Sequence, residues 1–511
     1  MTTLRLDGTS LQLEDLKPLF RGLRPELLVT DEAKQRVARA HALVESSVAS
    51  GEAIYGLTTG FGKLKNVSID RRDLGQLQEN LILSHCCGLG DPMPIEEVRA
   101  VQVLRLNGLL RGHSGVRVEL IERLCAFYKA EFVPLVPQKG SVGASGDLAP
   151  LAHMAAAYMG YGEVYLRGER MPASKGLKEI AAEPLRFEAK EGLALINGTE
   201  VMCAIGAGVL IRAIHVSKVA DAIASLTIEA LFGSSKPFDS RIAELKGQPG
   251  HMRAAANVRV CLADSRVQES HVNCNRVQDP YSLRCVPQVH GAFKEALDHV
   301  RGVFAPEMNS VTDNPILFPD TGEVISAGQF HGQPISMALD YLCLALCTLS
   351  NISERRTEQL VNPDLSHLPG FLTAKPGLNS GMMIAQVAAA SLTSENKTLA
   401  HPASVDTIPT SANQEDHVSM GVTAARKARA VCTNVELVLS IEALCAAQAR
   451  DFHPDLKAGT GAQAAYDLIR AHVPSLETDR YLKADLDATF ELLDSGLLLA
   501  AVEKAVGELR A

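Results

Sequence analysis

The strongest constraint on the fold of this chain is a set of long apolar stripes in its second half. Val216, Val219, Ile223, Leu226 and Ala230 recur at spacings of three and four, the period that places side chains on one face of an α-helix. Similar stripes run from Ile335 to Ile352 and from Met382 to Leu399. Long helices with a continuous apolar face must bury it against one another, so an elongated bundle of long central helices is expected. The 216–230 spacing also resembles a coiled-coil seam and predicts packing on partner helices, those of other subunits included. With 511 residues, 46% of them hydrophobic, the chain can bury a large core in two or three domains or one elongated one.

The N-terminal part reads differently. Thr30-Asp31 opens a helix, the glycine-rich YGLTTGFGKL from Tyr55 to Leu64 interrupts the period as a loop, and residues 70–84 and 96–111 read as helices. Glu163 to Met171 alternates apolar with charged residues and predicts a hairpin. The expected class is mainly α with little sheet. A smaller mixed domain spans 1–200, and a helical-bundle core with a C-terminal helical region spans 201–511.

Composition narrows the function. The net charge is −9, with Lys and Arg interspersed among Asp and Glu, which gives no nucleic-acid footprint. Arg5, Asp7, Glu14 and Asp15 stand where an export signal needs an apolar core. The uncharged run from Gly377 to Ser394 contains Asn379, Ser380, Gln386 and Ser391, which suits a buried helix better than a membrane span. Eleven cysteines show no zinc-type spacing, so a reduced, cytoplasmic protein without a structural metal is expected. Cys343 and Cys347, four apart on an apolar helix, are read as packing.

The segment GSVGASGDLAPLAH, residues 140–153, carries the chemistry. Gly146 has no Cβ, so its amide nitrogen can approach the Ala144 carbonyl in a strained turn. Loss of water at that ring and of the Ser145 hydroxyl leaves a conjugated methylene, an electrophile that no standard side chain supplies. A second Ala-Ser-Gly at 49–51 ends a helix-like run, with Gly51 suited to the C′ position. The tripeptide alone is therefore not the signal. After Gly146, Asp147 as an N-cap and Pro150 in a first turn put the turn at the positive end of a helix.

Four further polar segments interrupt helical sequence. Tyr55 sits among glycines and suits either a general base with a lowered pKa or a loop anchor. His85, in LSHCCGLG, suits a ligand contact or an ordinary helix-terminal histidine. Gln278, Tyr281 and Arg284, in VQDPYSLRC, flank a proline turn, and an arginine there can hold a carboxylate through two parallel hydrogen bonds. In TSANQEDHVSM, Glu415, Asp416 and His417 adjoin, and helical spacing would let at most two of them face a site.

With YGLTTGFG, INGT, QDPYSLRC, TDNP, NSGMMIAQV, SENK and TSANQEDHVSM beside GSVGASGDLAPLAH, the chain resembles the aromatic amino acid ammonia-lyases from Tyr55 to Met420. The resemblance implies that Ala144, Ser145 and Gly146 cyclise to a 4-methylidene-imidazol-5-one group, with no dissociable cofactor. It implies a homotetramer whose active sites draw on three subunits. Tyr55 then matches the base for the β-proton and Arg284 the carboxylate anchor. Asn197 and Tyr281 match the groups holding the prosthetic group and the substrate amine, and Gln278 and Phe330 line the pocket.

Two places resemble the histidine-acting members: Ser84-His85, and NQEDHVSM with Glu415. An imidazole needs a polar partner and a carboxylate, and a phenyl ring would leave both unpaired. The implied reaction converts L-histidine to trans-urocanate, the first step of histidine degradation, with either the amine or the ring engaging the electrophile. GQFHGQP at 328–334 departs from the family run through Gln329 and Gln333, and VNPDLSHLPGFL at 361–372 lacks an expected basic pair. Within the family, a tyrosine or phenylalanine lyase or an aminomutase is the alternative. Outside it stand a catalytically silent helical scaffold and the fumarase-type bundle, whose GSSxMPxKxN loop this sequence lacks.

Overall fold

The computed structural model describes residues 3–50, 56–57, 59–60, 62, 65–67, 69–272, 274 and 276–511. The fold is mainly α. Six helices frame the discussion: α1 (Leu74–His85), α2 (Leu148–Tyr158), α3 (Glu191–Ile196), α4 (Glu200–Ala230), α5 (Gln333–Val361) and α6 (Gly421–Arg450). The apolar stripes read from the sequence explain α4 and α5. Val216, Val219, Ile223 and Leu226 on α4, and Leu339, Leu342, Cys343 and Leu346 on α5, are all buried. By length and hydropathy α4, α5 and α6 could each cross a membrane, yet 78%, 67% and 83% of their apolar windows are buried inside the protein. Their hydrophobicity serves the core.

Sheet is confined to small pieces. The predicted hairpin is present, with Glu163–Leu166 antiparallel to Glu169–Pro172 and Val164 opposite Met171, and Phe132–Pro134 adds a third strand. The remaining three sheets have two strands each among the described residues.

By compactness the chain forms two units. The first comprises residues 1–211, 301–340 and 402–426, the second 212–300, 341–401 and 427–511. In the first, Leu57 is fully buried against Val44 and Leu317, which anchors the glycine-rich segment to the helix Asp31–Ser50. Its interior also holds a closed ion pair: Lys190 Nζ lies 2.5 Å from Asp313 Oδ2, with neither side chain exposed. In the second unit Arg356 and Glu442 pair in full burial, and the same carboxylate accepts from the Thr227 and Ser353 hydroxyls. Such pairs add little net stability over apolar packing. Removing one partner, however, strands a buried charge, typically at about 3–5 kcal/mol.

Candidate active site

The turn at 140–147 is held by backbone contacts from distant parts of the first unit. Gly146 has φ +76°, and a Cβ there would lie 2.1 Å from the Gly198 carbonyl oxygen, so no other residue fits. Gly146 and Gly198 form an isolated parallel bridge, and the Asp147 amide donates to the Gly198 carbonyl at 2.7 Å. On the other side the Met420 amide donates to the Val142 carbonyl at 2.9 Å, and the Ser419 hydroxyl donates to the Gly143 carbonyl at 3.2 Å.

Asp147 corrects one expectation. It precedes α2, but its side chain makes no capping bond to that helix. Its carboxylate instead accepts from the Met202 amide at 2.8 Å, at the start of α4. A carboxylate satisfies orphan amides wherever it can reach them, and the tight Gly146–Gly198 contact turns this one toward the later helix. Burial pushes the Asp147 carboxyl up to about 8, against the opposing pull of the Met202 and Val201 amides.

Three more helix starts crowd the same place. Added Cβ atoms at Gly332 and Gly421 would lie 2.2 and 2.3 Å from the Met202 sulfur, so α4, α5 and α6 begin in contact around that side chain. Helix N-termini carry partial positive charge. Their convergence beside residues 142–147 favours electron density arriving at the turn.

Ala144 and Ser145 form part of the wall of a cavity of about 740 Å³, together with His85, Asn197, Phe330 and Glu415. Asn197 Nδ2 donates to the Ser145 carbonyl at 2.8 Å, and its Oδ1 is buried without a hydrogen-bond partner. The Ser145 hydroxyl donates to Glu415 Oε1 at 3.0 Å. His85 ends α1, and its Nδ1 lies 2.7 Å from the Leu81 carbonyl. Since a carbonyl only accepts, Nδ1 carries a proton and donates to it.

Glu415, Asp416 and His417 all line this cavity, contrary to the helical expectation of at most two. The segment is not helical: Ser411, Ala412 and Asn413 take φ of +51°, +51° and +63° in succession. The following residues leave helical spacing behind. His331, not singled out in the sequence, also lines the cavity, its ring parallel to that of His417 with centroids 5.6 Å apart. Gln333 has Oε1 buried without a hydrogen-bond partner, whereas its Nε2 donates to the Ser404 carbonyl at 3.3 Å.

The other expected residues lie elsewhere. Gln278 and Arg284 line a separate cavity of about 790 Å³ within the second unit. The Arg284 guanidinium sits 4.5 Å above the Tyr281 ring, and its Nε donates to the Asp279 carbonyl at 2.9 Å. Tyr281 is 70% exposed. Tyr55 lies outside the described residues. His153 emerges as a link that sequence reasoning passed over: its Nε2 accepts from the Gly88 amide at 3.0 Å, tying α2 to the turn that follows His85.

A mainly helical chain whose cavity is centred on a backbone turn is matched by known proteins over nearly its whole length. The family model for aromatic amino acid lyase matches residues 11–471. Histidine ammonia-lyase of Myxococcus xanthus is 51% identical over 500 residues, covering 98% of both chains. Among solved structures, histidine ammonia-lyase from Trypanosoma cruzi superposes with a TM-score of 0.92 at 39% identity, over 99% of this chain and 96% of that one. Tyrosine aminomutase from Streptomyces globisporus gives 0.94 at 35% identity over the whole of both chains. The protein is thus a carbon–nitrogen lyase. It belongs to the aromatic amino acid lyase family.

Proposed function

We propose that this chain eliminates ammonia from L-histidine to give trans-urocanate, using an electrophile made from Ala144, Ser145 and Gly146. The observation that carries the reading is the Glu415 carboxylate on the Ser145 hydroxyl, in a cavity that also holds His85. A carboxylate accepts from a ring N–H of a substrate imidazole and the His85 ring is a second polar partner beside it, and a phenyl ring would leave both unpaired. The relatives at about half identity support the same substrate.

The residues fit the prosthetic group. Its formation joins the Gly146 nitrogen to the Ala144 carbonyl carbon, whose oxygen leaves as one water. Ser145 gives up its hydroxyl and α-hydrogen as a second. The left-handed φ of Gly146, and the absence of room for a Cβ beside Gly198, leave its nitrogen on an unhindered glycine. When formed, the group supplies an electron-poor methylidene carbon that improves ammonia as a leaving group.

The chain's own residues do the rest. Asn197 donates to the Ser145 carbonyl and draws electron density from the conjugated system. Glu415 and His85 orient the ring, and the helix starts near 148, 200, 333 and 421 favour negative charge at the turn. Tyr55, outside the described residues, is assigned the β-proton on the strength of the family resemblance.

We also propose a homotetramer in which Gln278, Tyr281 and Arg284 serve the substrate of a neighbouring copy. Support comes from exposed apolar side chains at helical spacing, Met337, Tyr341 and Leu344 on α5 and Ile384 and Val387 on the helix Met383–Leu399. Monomers rarely expose such stripes. The test of function is direct: intact mass should fall two waters short of the sequence, and urocanate absorbance should grow fastest with L-histidine. An unmodified mass overturns the electrophile. Faster turnover of L-tyrosine, or a β-amino acid product of the aminomutase kind, overturns the substrate and reaction.

A further inference from the structure

Residues 410–415 form a closed loop of unusual build. Its ends are bridged in both directions, the Thr410 amide to the Glu415 carbonyl at 2.9 Å and the Glu415 amide to the Thr410 carbonyl at 3.3 Å. Between them Ser411, Ala412 and Asn413 are all left-handed, a conformation costly for residues with a Cβ. Strain of this kind persists where surrounding bonds over-determine it, and it clusters at functional sites. The bonds are present: Lys65 Nζ donates to Gln414 Oε1 at 2.8 Å, and the Val418 amide donates to the Thr407 hydroxyl at 2.9 Å.

The loop holds one carboxylate by both oxygens. Glu415 Oε2 accepts from the Thr410 hydroxyl at 2.7 Å, and Oε1 accepts from the Ser145 hydroxyl at 3.0 Å. The second of these hydroxyls is the one that maturation discards as water. Oε1 then becomes an open acceptor facing the cavity, while among the described residues Thr410 remains as the side chain gripping the other oxygen.

We infer that Thr410 is a positioning residue for substrate choice. Its hydroxyl fixes the carboxylate so that Oε1, vacated by Ser145, meets the ring N–H of the substrate. The inference rests on the proposed conversion of Ser145 and deepens the histidine reading by naming what aims its carboxylate.

The test is Thr410→Val, which removes the hydroxyl at constant shape, compared with Thr410→Ser, which keeps it. In Thr410→Val, KM for L-histidine and the inhibition constant for free imidazole should rise together, by roughly tenfold, the worth of one hydrogen bond to a charged group. Inhibition by glycine, which has no ring, should stay put, as should the two-water mass deficit. Thr410→Ser should restore wild-type constants. A merely structural role would lower the active fraction without separating imidazole from glycine.

Unchanged imidazole inhibition in Thr410→Val, a parallel change for glycine, or failure of Thr410→Ser to restore binding overturns the assignment while the histidine reading stands. A wild-type chain without the mass deficit overturns both. Should Thr410→Val not fold, Thr410→Ala removes the same hydroxyl and carries the same expectation.

Discussion

The chain contains the same tripeptide twice, and the two copies live in opposite surroundings. Ala49 and Ser50 close the helix Asp31–Ser50, and the Ser50 hydroxyl donates to the Ser47 carbonyl one turn back at 2.8 Å. Gly51 lies outside the described residues. In a helix each amide is directed at the carbonyl four residues earlier, which keeps neighbouring peptide groups from approaching one another. At 144–146 that ladder is missing. The Ser145 carbonyl takes Asn197, the Asp147 amide takes the Gly198 carbonyl, and the Ser145 hydroxyl takes Glu415. On the proposed reading, reactivity resides in what grips the backbone of 144–146 from afar, whereas Ala49 and Ser50 sit in a helix.

The sharpest way to break this contrast is to remove each serine hydroxyl in turn. Ser145→Ala should abolish the two-water mass deficit and lower kcat/KM by at least about 10³-fold. Ser50→Ala should keep the deficit and lie within about twofold of the parent, as for a surface substitution. Equal effects at both positions would remove the distinction.

A smaller effect is expected at Asn197, which holds the Ser145 carbonyl. Asn197→Ala should lower kcat by roughly 10²-fold, the usual worth of one preorganised donor. The intact mass should keep its deficit, and an unchanged kcat would mean that the Ser145 carbonyl needs no donor.

The smallest effect concerns the far side of α2, where His153 holds the turn after His85. Burial lowers the pKa of His153 from 6.5, and its bond to the Gly88 amide needs the neutral ring. The unfolded chain therefore binds this proton first, and the stability due to His153 is full above pH 6.5 and declines as pH falls below it. His153→Ala, by removing the acceptor of a half-buried amide, should cost about 0.5–1.5 kcal/mol at neutral pH. His153→Gln, whose Oε1 can accept, should recover most of that and flatten the acid limb in denaturant titrations.

Much of the fold could be read from residue spacing. Long helices announce themselves because burial of one face needs apolar residues every three or four positions, as at Val216 to Leu226. The hairpin at 163–172 is a local pattern and equally plain. The site was legible in its parts, since His85, Ala144, Ser145, Asn197, Phe330 and Glu415 do line one cavity. Their partners were not. Asp147 reaches a helix that starts some 50 residues later, and no local pattern encodes such a reach. The left-handed run Ser411-Ala412-Asn413 contains no glycine to betray it, so helical spacing misplaces Glu415, Asp416 and His417, which follow it. Lys190 and Asp313, 123 positions apart, look like two surface charges until the chain is folded.

The junction of α4, α5 and α6 constrains how this protein can vary. Where α4, α5 and α6 begin, the Met202 thioether occupies the space that a side chain at Gly332 or Gly421 would need. Drift at these three positions is therefore correlated: a methyl group can enter at either glycine when the methionine shortens, and a shorter residue at 202 leaves a void unless a glycine fills it. Lineages that repack this helix junction must cross by paired steps, and a survey of single substitutions would find all three positions closed.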